Sequence, residues 1–155
     1  PEGVLRALLI SEHGVSDVAD RLLADPRVAA ATLTGGTRAG AHVAIGAARA
    51  LKKSVLELGG SDPFVVLADA DIETAAEHAA KSRLMCAGQT CIAAKRLIVH
   101  TSVADRFQEL FLAAMNRAKM GDPLDQNTTL GPLAREDLLD TLERQVQESV
   151  AQGAT

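Results

Sequence analysis

Residues 28–58 read VAAATLTGGTRAGAHVAIGAARALKKSVLEL. Val28 to Thr34 has the length and composition of a short strand, and Gly35-Gly36 stops it. Ala39 to Ala50 then carries small apolar residues at helical spacing. Ser54 to Leu58 returns to a strand, ended by Gly59-Gly60. Strand, helix and strand in succession make a βαβ unit, whose strands are parallel and whose crossover is right-handed. The chain is therefore read as α/β.

The same alternation extends outward. Upstream, Val15 to Ala24 reads as a helix closed by Asp25-Pro26, because the residue before proline avoids the helical region. Downstream, Phe64 to Ala68 is an apolar strand, and Asp71 is the expected N-cap of a helix running to about Cys86, with Glu73 in its first turn. Ala87 to Ile92 reads as loop or a helix end, and Arg96 to His100 as a strand. Ser102-Val103-Ala104-Asp105 has the form of a capping box with Asp in place of Glu. The helix after it should bury Phe107, Leu110, Phe111, Ala114 and Ala118. Gly121-Asp122-Pro123 is a turn. Arg135 to Ala151 is a last helix with Leu138, Leu142 and Val146 on one face, and Gly153 suits its C-terminal cap.

Bulk composition narrows the partners. The chain has 155 residues, 47% hydrophobic and 23% charged, with a net charge of -4. An acidic balance argues against nucleic acid. No apolar run approaches the ~20 residues that span a bilayer. Two cysteines are too few for a disulfide scaffold and suit a reducing compartment, here the cytoplasm. There are 28 alanines, no Trp and no Tyr. Small side chains bury little area each, so this chain is expected to pack against something else. Pro1 in place of Met, and a last residue just past a helical pattern, read as cuts in a longer protein.

Three places carry chemistry. Thr34-Gly35-Gly36-Thr37 lies between strand and helix, where backbone N–H groups can face a phosphate, although the usual Gly-x-Gly-x-x-Gly spacing is absent. Glu57 sits in an otherwise apolar strand end before two glycines, at an exposed tip or half buried, and a buried carboxylate is a better base near neutral pH. Cys91 follows Gly88-Gln89-Thr90 in an open loop, as a reactive thiol requires. Taken singly, the same residues also suit a ligand-free turn, a solvated charge and an inert thiol. Cys86 is placed by helical phase beside Ala79 and Ala80, in a packing role. The two cysteines lack further ligands nearby, so no metal site is expected. Lys52-Lys53 and Lys95-Arg96 are read as solvated charges. The four histidines are scattered.

In order, Leu33-Thr34-Gly35-Gly36-Thr37-x-x-Gly40, Leu56-Glu57-Leu58-Gly59-Gly60-x-x-Pro63, Asp69-Ala70-Asp71 and Gly88-Gln89-x-Cys91 resemble the motif series of the aldehyde dehydrogenase superfamily. Gly121-Asp122-Pro123 and Leu130-Gly131-Pro132 resemble its later loops. The resemblance implies that Cys91 is the nucleophile and Glu57 the general base. It implies that Gly35 and Gly36 lie over the pyrophosphate of NAD or NADP, and that Leu58 lies beside the nicotinamide. The family usually carries Ser at Gly36, so backbone N–H groups must replace a hydroxyl there. The match around Cys91 and Leu58 looks most like succinate-semialdehyde dehydrogenases. On this resemblance, residues 1–58 are the C-terminal part of a Rossmann-like nucleotide-binding domain, and residues 59–155 the N-terminal part of a catalytic domain. The parent enzyme is expected to be a homo-oligomer acting on a small-molecule aldehyde, and the 155 residues alone to be inactive or nearly so.

Two other readings compete with it. A Cys-dependent acyl hydrolase or acyltransferase would need the same thiol and base but no nucleotide. A non-catalytic interaction module would leave Cys91 no more reactive than an ordinary thiol.

Overall fold

A computed structural model of the chain describes residues 3–11 and 13–155. The chain divides into two compact units, one ending at Gly59 and one running Gly60–Thr155.

The first unit contains α1 (Val15–Ala24), β1 (Ala30–Thr34), α2 (Thr37–Arg49) and β2 (Lys53–Glu57). β1 and β2 pair in parallel, Ala30 opposite Lys53 and Thr34 opposite Glu57, with α2 connecting them. This is the expected βαβ unit. α2 lies close against α1: a Cβ built on Gly46 would stand 2.6 Å from Leu23 Cδ1. Lys52 corrects the expectation of a solvated charge. It is half-buried, and its ammonium donates to the carbonyls of Leu23 and Asp25, at 2.6 Å each. These are carbonyls that the end of α1 leaves without helical partners, so Lys52 closes that helix from across the unit.

The second unit contains β3 (Asp62–Val66), α3 (Ile72–Leu84), β4 (Ala94–Val99), α4 (Ala104–Met115) and α5 (Glu136–Ala151). β3 and β4 are also parallel and joined through α3, with Phe64 opposite Leu97 and Val66 opposite Val99. A core of Val66, Ala76, Ala79 and Phe107 sits between this sheet and the helices, and Leu110 and Phe111 pack onto it. The Phe107 and Phe111 rings stack with centroids 5.8 Å apart. Asp71 caps α3 as expected, accepting from the Thr74 N–H at 3.0 Å and the Thr74 hydroxyl at 2.9 Å.

Two details differ from the sequence reading. α3 ends at Leu84 rather than near Cys86, and a short 3₁₀ turn, Met85–Gly88, follows it. The capping box does not form: the Ser102 hydroxyl lies 2.8 Å from His100 Nδ1, and the same ring nitrogen accepts from the Ser102 N–H. Asp105 falls inside α4, whose N-cap residue is Val103. α5 carries Leu138, Leu142 and Val146 as the expected row, and none of its residues is buried.

Candidate active site

In the first unit, Gly35 and Gly36 form the turn between β1 and α2. The Gly35 N–H donates to the Glu57 carbonyl at 2.9 Å, tying this turn to the end of β2. Gly36 is the N-cap of α2, and no side chain caps the helix there. A Cβ built on Gly36 would meet nothing within 4 Å. An uncapped helix start of open backbone N–H groups at the carboxyl end of a parallel strand suits a phosphate of a dinucleotide. At Gly36 there is no side-chain hydroxyl, so the donor available there is the backbone N–H. Leu58 packs over α2 because Gly40 has no side chain: a Cβ on Gly40 would lie 2.7 Å from Leu58 Cδ2. The Glu57 side chain is exposed at the end of β2, the first of the two placements that its sequence context allowed.

In the second unit, Cys91 is exposed in the loop between α3 and β4. The loop gets its shape from a left-handed run. Cys86 has φ 51°, Ala87 φ 55° and Gly88 φ 77°. Glycine reaches such angles without penalty, whereas each L side chain costs about 1–2 kcal/mol. The run reverses the helical phase, so Cys86 turns outward and is exposed, not packed against Ala79 and Ala80 as the sequence reading placed it.

Hydrogen bonds brace the loop. The Gln89 amide donates to the Cys86 carbonyl at 2.8 Å and accepts from the Ala134 N–H at 3.0 Å. The Ala94 N–H donates to the Ser82 hydroxyl at 3.0 Å, fixing where the loop enters β4. The Lys95 ammonium donates to the carbonyls of Gly60, Thr90 and Cys91, at 2.7, 3.0 and 2.9 Å. Arg96 Nε donates to the Ser61 carbonyl at 2.8 Å. The pair Lys95-Arg96 is therefore not the solvated pair expected, for both hold backbone. Gly60 lets the two segments approach closely, since a Cβ there would lie 3.0 Å from the Cys91 carbonyl oxygen and would press on it. The Cys91 N–H donates no hydrogen bond to the described residues. A thiol beside a free N–H can offer a nucleophile and an oxyanion donor from one residue.

The structure thus groups Gly35, Gly36 and Leu58 with the backbone of Glu57 in one unit, and Cys91 with Gly60 and Lys95 in the other. A hollow of about 540 Å³ lined by Met120, Leu130, Pro132, Leu139 and Leu142 reaches the loop at Ala87 and does not include Cys91. Among the described residues, no group of three or more His, Cys, Asp or Glu side chains is placed to hold a metal ion. No helix of the described residues is long and apolar enough to cross a membrane. Lys95, Gly60 and Gly40 acquire roles that the sequence reading did not assign. Gly40 and Gly60 lay within the quoted motifs. Nothing local marked Lys95, whose contact with Gly60 spans 35 positions.

The sequence matches the aldehyde dehydrogenase family along residues 1–155. The chain belongs to that family. Among relatives, a succinate semialdehyde dehydrogenase [NAD(P)+] of Escherichia coli (strain K12) is 50% identical over 99% of this chain and 32% of its own length. A succinate-semialdehyde dehydrogenase [NADP(+)] of Mycobacterium avium (strain 104) is 49% identical over all of this chain and 32% of its own. The chain therefore spans about a third of the length of these aldehyde dehydrogenases. Among solved structures, a succinic semialdehyde dehydrogenase from Streptococcus pyogenes, in complex with NADP+, superposes with a TM-score of 0.85 at 42% identity. The match covers 94% of this chain and 31% of that one. The aldehyde dehydrogenase fold expected from the motif order is the fold observed.

Proposed function

We propose that the polypeptide carrying these residues oxidises an aldehyde, succinate semialdehyde, to the carboxylic acid with NAD or NADP. One observation carries the reading: the relatives at 50% and 49% identity along nearly the whole chain are succinate-semialdehyde dehydrogenases. Residues 1–58 then belong to the nucleotide-binding domain and residues 59–155 to the catalytic domain, a division supported by the boundary between the two compact units. The reaction is assigned to the cytoplasm, where two free, exposed cysteines remain reduced. The enzyme works as a homo-oligomer.

The chemistry follows from the residue types. The Cys91 thiolate attacks the aldehyde carbon, forming a C–S bond and pushing the carbonyl electrons onto oxygen. The Cys91 N–H donates to that oxyanion. Gly35 and Gly36 hold the dinucleotide's pyrophosphate on backbone N–H groups, and Leu58, supported by Gly40, packs beside its ring. When bound, the nicotinamide supplies the acceptor for the hydride. Cys91 is then a thioester. Glu57 takes a proton from water, the resulting hydroxide adds to the thioester carbon, and collapse releases the acid and the Cys91 thiolate.

The test is formation of NADH or NADPH from succinate semialdehyde. Cys91→Ala should abolish it. Glu57→Gln should lower the steady rate by about 10²-fold or more while keeping a first-turnover burst, because attack and hydride loss precede the step that needs the base. A Glu57→Gln variant at the full steady rate would remove the base assignment. The 155 residues alone span about a third of these relatives and are expected to show no such rate.

A further inference from the structure

We propose that Lys95 is a positioning residue for this reaction, acting on the oxyanion through the peptide unit that joins Thr90 to Cys91. The inference rests on the function proposed above and adds a residue to it. An ammonium has three N–H donors and no acceptor. All three are taken by backbone carbonyls, of Gly60, Thr90 and Cys91. A side chain kept only for solubility would not be half-buried with every donor spent on the two segments that meet at the nucleophile.

The Thr90 carbonyl is the informative partner. Its oxygen accepts from Lys95 at 3.0 Å and from the Ala93 N–H at 3.2 Å. The opposite end of the same planar peptide is the Cys91 N–H, the free donor assigned to the oxyanion. Two donors on the oxygen fix the plane, and so fix where the N–H points. A cation on the oxygen also draws electron density from the nitrogen through the amide resonance. Polarised this way, the N–H becomes a stronger donor. Charge-assisted bonds are roughly twice as strong as neutral ones, so a neutral side chain of similar length would do neither job as well. The bond to the Cys91 carbonyl holds the residue from its other side. The bond to Gly60 fixes the segment whose missing Cβ lets it approach Cys91.

The effect should appear where negative charge develops on oxygen, in the transition state and not in aldehyde binding. In the polypeptide carrying this chain, Lys95→Met is expected to lower kcat by about tenfold or more with KM for the aldehyde little changed. Lys95→Arg keeps a cation with several donors and should recover much of the loss. Hydrogen exchange should rise at Gly88–Ala93 in Lys95→Met and stay unchanged in α4. Three results would overturn the proposal: a Lys95→Met kcat within about twofold of the parent, an equal loss in Lys95→Met and Lys95→Arg, or unchanged exchange at Gly88–Ala93. A parent protein that reduces no NAD or NADP with any aldehyde tells against the proposed function. The exchange comparison then decides, alone, whether Lys95 holds the loop.

Discussion

At the scale of single residues, the loop before Cys91 is held by backbone angles that its sequence does not favour. Cys86 and Ala87 take left-handed angles without being glycine. Such strain persists only where surrounding bonds over-determine it, and Gln89 supplies two of those bonds. Gly88 shares the left-handed angle and also sits close to Arg83: a Cβ on it would lie 2.9 Å from Arg83 Nη2 and 3.2 Å from the Arg83 carbonyl oxygen. Gly88→Ala should therefore destabilise the second unit by about 1–2 kcal/mol, read as a lower urea midpoint. An unchanged midpoint would mean that the loop relaxes freely. This loop is also where the sequence was least legible. Periodicity carried the helix on to Cys86 and placed that thiol inside. A reversal of phase at residues other than glycine leaves no compositional mark.

At the scale of elements, the alternation of strands and helices was legible throughout, because each strand has a compact apolar run and each helix a start or stop residue. Asp71 shows how local that information is. Its carboxylate accepts from an N–H and a hydroxyl three residues away, which the sequence displays directly. Those bonds, the Thr74 N–H first, hold its pKa below the ordinary aspartate range. The folded state then binds fewer protons, so the cap stabilises fully above the pH at which an unfolded aspartate ionises, about 4. The contribution disappears as pH falls through the lower native value. Asp71→Ala should lower the unfolding midpoint at pH 7, and the gap from the parent should close below about pH 4. A gap independent of pH would show that the charge plays no part. Lys52 and Lys95 are the contrasting case. Their carbonyl partners lie up to 29 and 35 positions away, and no reading of neighbours finds a contact of that span. The motif series did better than local pattern, since the order of Gly35-Gly36, Glu57-Leu58 and Cys91 indicated the family where each part alone suited an inert role.

At the scale of the molecule, small side chains dominate the interior. Of the ten hydrophobic residues buried among those described, seven are alanine. Large apolar residues stand outside instead, among them Leu138, Leu142, Val146 and Val150 along α5. That distribution has a calorimetric consequence. The heat-capacity increment of unfolding tracks the apolar area newly exposed to water, and globular domains average about 12–15 cal/mol/K per residue. A chain whose interior is largely alanine, and many of whose leucines are already exposed, has less to expose. Scanning calorimetry of these 155 residues should give an increment below that range. Their stability should then change only gently with temperature, with a broad, shallow melt in place of a sharp one.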